Sequence, residues 1–143
     1  MKRVLTVFVV TILISLLPFN IIGFAADLES EYIPEVESKL QYTSSCSSTL
    51  TTSGTSATGI SKVTGYNGET TKIVITQTLQ RKNSYGNWVY VQSYSGTYYY
   101  FKATLSKTYL NLSSGTYRLK SVFTVYAGSN SETVTKYSSE KTI

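Results

Sequence analysis

Leu112-Ser113-Ser114-Gly115-Thr116-Tyr117-Arg118-Leu119-Lys120-Ser121-Val122-Phe123-Thr124-Val125 is the stretch whose pattern decides the fold. From Tyr117 onward large apolar residues recur on alternate positions, the period of a strand with one buried face. That parity turns Tyr117, Leu119, Phe123 and Val125 inward with Ser121 as a small member of the same face, and Arg118, Lys120 and Thr124 outward. Before the strand stand an apolar anchor, Leu112, and a Gly115-Thr116 turn. A tyrosine placed just after such a turn can bury its ring while its hydroxyl bonds back to main chain upstream.

Outward from this segment the same β pattern continues. Beyond Tyr42 the chain is rich in Thr, Tyr, Val and Ser, contains no proline, and is divided by glycine-bearing turns. Gln41 to Thr52 and Ser56 to Thr64 read as two strands about Ser53-Gly54-Thr55. An Asn67-Gly68 loop leads to Thr71 to Arg81, where Ile73, Ile75 and Leu79 share a face, and Lys82 to Asn87 turns the chain into Trp88 to Tyr94. After Gly96 come Tyr99 to Tyr109, Thr116 to Tyr126 and Glu132 to Ser138. Seven strands in about a hundred residues, with Tyr117 opening the penultimate one, resemble immunoglobulin-like and fibronectin type III-like domains, in which that residue is the tyrosine corner. The chain departs from antibody-type domains, having no second cysteine and no tryptophan on Thr71 to Arg81. The expected fold class is all-β, a seven-stranded antiparallel sandwich over residues 42–143, without helical periodicity or an internal repeat.

The N-terminus reads as a cleaved secretory signal helix over residues 1–25. Lys2 and Arg3 precede an apolar run from Val4 to Leu17, and Gly23 and Ala25 are small residues at −3 and −1 of a cleavage site before Ala26. The alternative is a retained membrane anchor, since Val4 to Ala26 just reaches across about 30 Å of hydrocarbon. Pro18, Asn20 and the small-residue site favour cleavage, so contact with the membrane is expected only in transit. No cysteine follows the apolar run closely enough for lipid attachment, and Glu140 to Ile143 carries no sorting signal. Residues 26–41 then form an acidic leader, expected to be disordered, holding five of the eight acidic residues. A sharper reading makes this leader an intramolecular mimic of an anionic ligand. Past Tyr42 ten basic residues face three acidic ones, a balance of +7.

Several absences narrow the chemistry. The chain has no histidine, one cysteine (Cys46) and one aspartate (Asp27), the residue types on which most catalytic and metal sites draw. Glu69, Glu132 and Glu140 do not form a recognisable acid/base pair, and the serines have no base to activate them. A Lys–Asn isopeptide crosslink would need an inward lysine that no strand offers. Neither catalytic residues nor metal ligands nor a cofactor are therefore expected. Cys46 has no intramolecular partner and is expected to be a buried, inert thiol, the alternative being an intermolecular bond.

Binding is the expected class of function. Trp88, Tyr90 and Tyr94 fall on even positions of one strand, and if Val89 and Val91 face the core the three rings line the outer face as a platform for sugars. The reverse parity puts Trp88 and Tyr90 in the core. The basic residues are spread along every strand, which speaks against a specific nucleic-acid partner and favours a cell-wall or host glycan or an anionic wall polymer. A monomer is expected, with self-assembly through an open edge strand as an alternative structural role. Over roughly residues 45 to 140 the order Thr-Lys-Ile-Val-Ile-Thr, Trp88, Leu105-Ser106-Lys107-Thr108-Tyr109, Ser114-Gly115-Thr116-Tyr117-Arg118 and Glu132 to Tyr137 resembles small secreted proteins of clostridia and related Gram-positive bacteria. That resemblance implies secretion to the extracellular milieu or bacterial surface and a β-sandwich, and brings no established activity.

Overall fold

The computed structural model describes residues 40–143. The expected signal peptide, and all of the expected acidic leader except Leu40 and Gln41, lie outside the described residues. Eight strands follow: β1 (Thr43–Ser53), β2 (Ser56–Gly65), β3 (Lys72–Lys82), β4 (Trp88–Tyr98), β5 (Lys102–Tyr109), β6 (Thr116–Ala127), β7 (Asn130–Tyr137) and the short β8 (Lys141–Thr142). They pair antiparallel in two sheets. One has the order β1-β2-β5, the other β4-β3-β6-β7 with β8 also on β6.

The seven expected strands are present and β8 is additional. One expected break is displaced: β4 continues through Gly96 to Tyr98, and β5 begins at Lys102 instead of Tyr99. Gly96 pairs with Ile75, and the room left by its missing side chain is taken by the Tyr98 ring, whose hydroxyl would lie 2.8 Å from an added Cβ. The turn falls on the residues between, where Tyr99 and Tyr100 stand exposed.

The inward residues of both sheets form two apolar clusters. Leu50, Ala57, Leu79, Tyr109, Leu112, Tyr117 and Leu119 pack at one end, and Val63, Ile73, Ile75, Ala103, Leu105, Phe123 and Val125 at the other. Between them runs a belt of buried polar groups. Ser61 and Ser121 hydroxyls are 2.6 Å apart across the sheets, Ser121 donates to Ser48 at 2.7 Å, and Gln77 Nε2 donates to the Leu105 carbonyl at 2.7 Å. Buried polar groups are costly unless bonded, so these links fix how the sheets align as well as holding them together.

Tyr117 has its ring fully buried, and its hydroxyl donates to the Ser113 carbonyl at 2.6 Å, four residues upstream. The bond ties the β5–β6 connection to the core. Glu132 of β7 anchors the start of the described chain: its carboxylate accepts the N–H groups of Gln41 at 2.9 Å and Tyr42 at 3.1 Å.

Candidate functional site

An irregularity in β4 decides which aromatic side chains reach solvent. Leu79 pairs with Gln92 but Gln80 pairs with Tyr90, so Val91 is an extra residue in the β4 ladder. Such a bulge resets side-chain parity. On one side of it Trp88 and Tyr90 lie opposite Lys82 and Gln80, on the outer face; on the other, Tyr94 lies opposite the buried Gln77, on the inner face. The three-ring platform expected from even spacing is therefore split. Tyr94 packs against both apolar clusters and against Tyr109, with ring centroids 5.4 Å apart, while Val91 packs on the core and Val89 is partly exposed. Period-two counting across the bulge is what misplaced Tyr94.

Trp88 and Tyr90 join residues from three other strands. Gln80 of β3 pairs with both Tyr90 and Arg118 of β6, and the Arg118 Nε donates to Gln80 Oε1 at 2.9 Å. The Arg118 guanidinium carbon sits 4.3 Å from the ring centroid of Trp88 and 4.3 Å from that of Tyr137 on β7. A second cation, Lys82, lies 5.0 Å from the Trp88 centroid, and its ammonium pairs with Glu140 at 3.0 Å. Each cation–π contact at such a surface contributes about 0.5–1 kcal/mol, so together the contacts hold Arg118 in one place. Tyr90 remains 67% exposed and Tyr137 49% exposed.

Further along the same outer face the sheet is lined with hydroxyls. Thr78 and Ser93 are 3.1 Å apart, Thr76 and Ser95 3.1 Å, and Thr124 and Thr133 3.2 Å. The face is thus a row of hydroxyl pairs ending at a patch of rings and cations. Arg118 and Tyr137 were not singled out from sequence. Arg118 reads there only as an outward residue of β6, and the register that sets it between Trp88 and Tyr137 links strands distant in the chain.

Around the edge of β4 lies a groove of about 290 Å³ bordered by Arg81, Tyr90, Asn111, Ser113 and Tyr117. Arg81 crosses it, donating from Nη2 to the Ser114 carbonyl at 2.6 Å. Gly115 leaves room for that side chain, since a Cβ there would come 2.5 Å from Arg81 Nε and the guanidinium would have to shift. At the opposite end a wider hollow of about 460 Å³ is bordered by Leu40, Gln41, Tyr66 and Glu69.

The remaining reactive groups are scattered. Cys46 on β1 is half-buried and unpaired, and burial pushes its thiol pKa up despite the opposing pull of Lys136. Burial, reinforced by Tyr94 and Tyr90, raises the Tyr109 hydroxyl well above the usual phenol range. Partial burial raises the Glu132 pKa, but the N–H donors of Gln41 and Tyr42 outweigh it and hold the carboxyl below its ordinary value. Among the described residues no three His, Cys, Asp or Glu side chains come together as a metal site. Compared with protein families, curated proteins and solved structures, the chain finds no match.

Proposed function

We propose that this protein is a secreted, non-catalytic binding module with a fibronectin type III-like sandwich, and that it engages a glycan through the outer face of its five-stranded sheet. The observation that carries this reading is the patch where half-buried Trp88 and exposed Tyr137 lie against a fixed arginine, with exposed Tyr90 paired in register to the Gln80 that holds that arginine. Aromatic faces stack on sugar rings, and flanking Thr, Ser and Gln groups supply hydrogen-bond partners for sugar hydroxyls. The strand orders β1-β2-β5 and β4-β3-β6-β7, with the Tyr117 hydroxyl on the Ser113 carbonyl, support the fold assignment. The signal-like sequence at Lys2 to Ala25 and the resemblance to clostridial secreted proteins support an extracellular location at a Gram-positive surface.

Non-catalytic action is supported by the state of the carboxylates. Among the described residues Glu132 is committed to main-chain N–H groups and Glu140 to Lys82, which leaves Glu69 in the β2–β3 loop as the one carboxylate without such a bond.

Glycan-array and cell-wall binding by wild type and Tyr90→Ala tests the reading. Tyr90 is exposed, so its loss leaves the fold intact; the variant is expected to bind about tenfold more weakly, a loss of one stacking contact and its flanking bonds. Binding that is unchanged in both Tyr90→Ala and Trp88→Ala would contradict it.

A further inference from the structure

Arg118 holds hydrogen-bonding capacity that its surroundings leave unused. Its Nε is committed to Gln80, and the rings of Trp88 on β4 and Tyr137 on β7 each lie 4.3 Å from the guanidinium carbon. Among the described residues its two Nη groups make no hydrogen bond, and no carboxylate pairs with it: the one ion pair is Lys82 with Glu140. With Nε committed and rings against the guanidinium carbon, the two Nη groups are the donors that remain, and a pair of such donors matches a planar or tetrahedral oxyanion with two parallel bonds.

We propose that Arg118 is an oxyanion receptor and that the ligand of this face is an acidic glycan, a sugar chain bearing carboxylate, sulfate or phosphate groups. The inference rests on the reading that this face binds glycans and names the class of glycan. Three features carry it. The arginine is immobilised before any ligand arrives, so little side-chain entropy is lost on binding. Guanidinium is weakly hydrated, and stacking has already removed part of its water. Lys120, which pairs with Tyr137, adds a second positive charge on the same face, in a body whose balance past Tyr42 is +7. A neutral sugar would leave the fork without the charge it is built to meet.

Trp88 is the only tryptophan, so its emission reads the Arg118 stack directly. The protein is titrated at near-physiological salt with dextran, dextran sulfate, polygalacturonate and polyphosphate. A saturable change with dextran sulfate, polygalacturonate or both, at least about tenfold tighter than with dextran, is the expected result, and which of the two responds assigns sulfate or carboxylate. Arg118→Lys keeps the charge but loses the fork, and should weaken that binding about tenfold, whereas Lys62→Gln on the outer face of the other sheet should change it less than about twofold. The polymer comparison uses the wild-type protein, so it stands even if Arg118→Lys folds poorly. Equal affinity for dextran and its sulfate overturns the acidic-glycan inference and leaves glycan binding in place. Polyphosphate binding as tight as dextran sulfate overturns the need for a sugar, and equal losses in Arg118→Lys and Lys62→Gln reduce the receptor to diffuse charge. No saturable response to any polymer overturns both readings.

Discussion

Charged side chains in this molecule behave according to what surrounds them more than to their type. Arg118 is fixed by two rings and an amide, Arg81 by a carbonyl, and Lys82 by a carboxylate, whereas Lys62 stands exposed on the outer side of the other sheet. Glu132 shows the consequence for stability. Its carboxyl is held below its ordinary pKa despite partial burial, so the contribution it makes as an anion is complete above the normal glutamate range and fades as pH falls through the lowered folded value. Wild type should therefore lose more stability than Glu132→Gln between about pH 5 and about pH 3 in chemical unfolding. Parallel losses in the two proteins would show that the Gln41 and Tyr42 N–H bonds do not couple to folding. None of this was visible in sequence, where Glu132 reads as one of three isolated acids; its role depends on meeting residues some ninety positions earlier.

Strand identities were legible because binary patterning repeats in each element. β3 and β6 alternate buried and half-buried residues over most of their length, as the positions of Ile73, Ile75, Leu79, Leu119, Phe123 and Val125 predict. β4 was read less well, since it breaks the rule twice. Its Gly96 serves packing instead of a turn, and its Val91 bulge shifts parity, sending Tyr94 inward while Trp88 and Tyr90 stay out. A bulge carries no signal in local sequence; it appears only when β3 supplies a register. Close approach of the two sheets makes a further demand on β2. A Cβ on Gly59 would meet Leu119 Cδ2 at 2.9 Å and the Tyr109 ring at 3.3 Å. Gly59→Ala should cost about 1–3 kcal/mol in thermal or chemical unfolding, because both neighbours are fully buried and have nowhere to move. A neutral effect would mean that the sheets can separate by a few tenths of an ångström without penalty.

For the molecule as a whole, a sandwich with two apolar clusters and a polar belt presents two different outer faces. That of the three-stranded sheet carries Thr58, Lys62 and Thr104, and among the described residues its contact of a cation with a ring is a single pair at the start of β5, Lys102 at 5.2 Å from the Phe101 centroid. That of the five-stranded sheet carries the hydroxyl rows and, at one end, the Trp88–Arg118–Tyr137 stack. Composition indicated a tyrosine-rich basic surface; folding concentrates part of it at one place, and that asymmetry is the basis for assigning a binding face. A two-dimensional ¹⁵N–¹H spectrum recorded during titration with a sulfated dextran oligosaccharide tests it most directly. The account predicts that the Trp88 indole N–H and the amides of Gln80, Arg118 and Tyr137 shift together, while those of Thr58, Lys62 and Thr104 stay in place. Shifts confined to the three-stranded sheet, or to Tyr66, Tyr99 and Tyr100 at the far end, would contradict it.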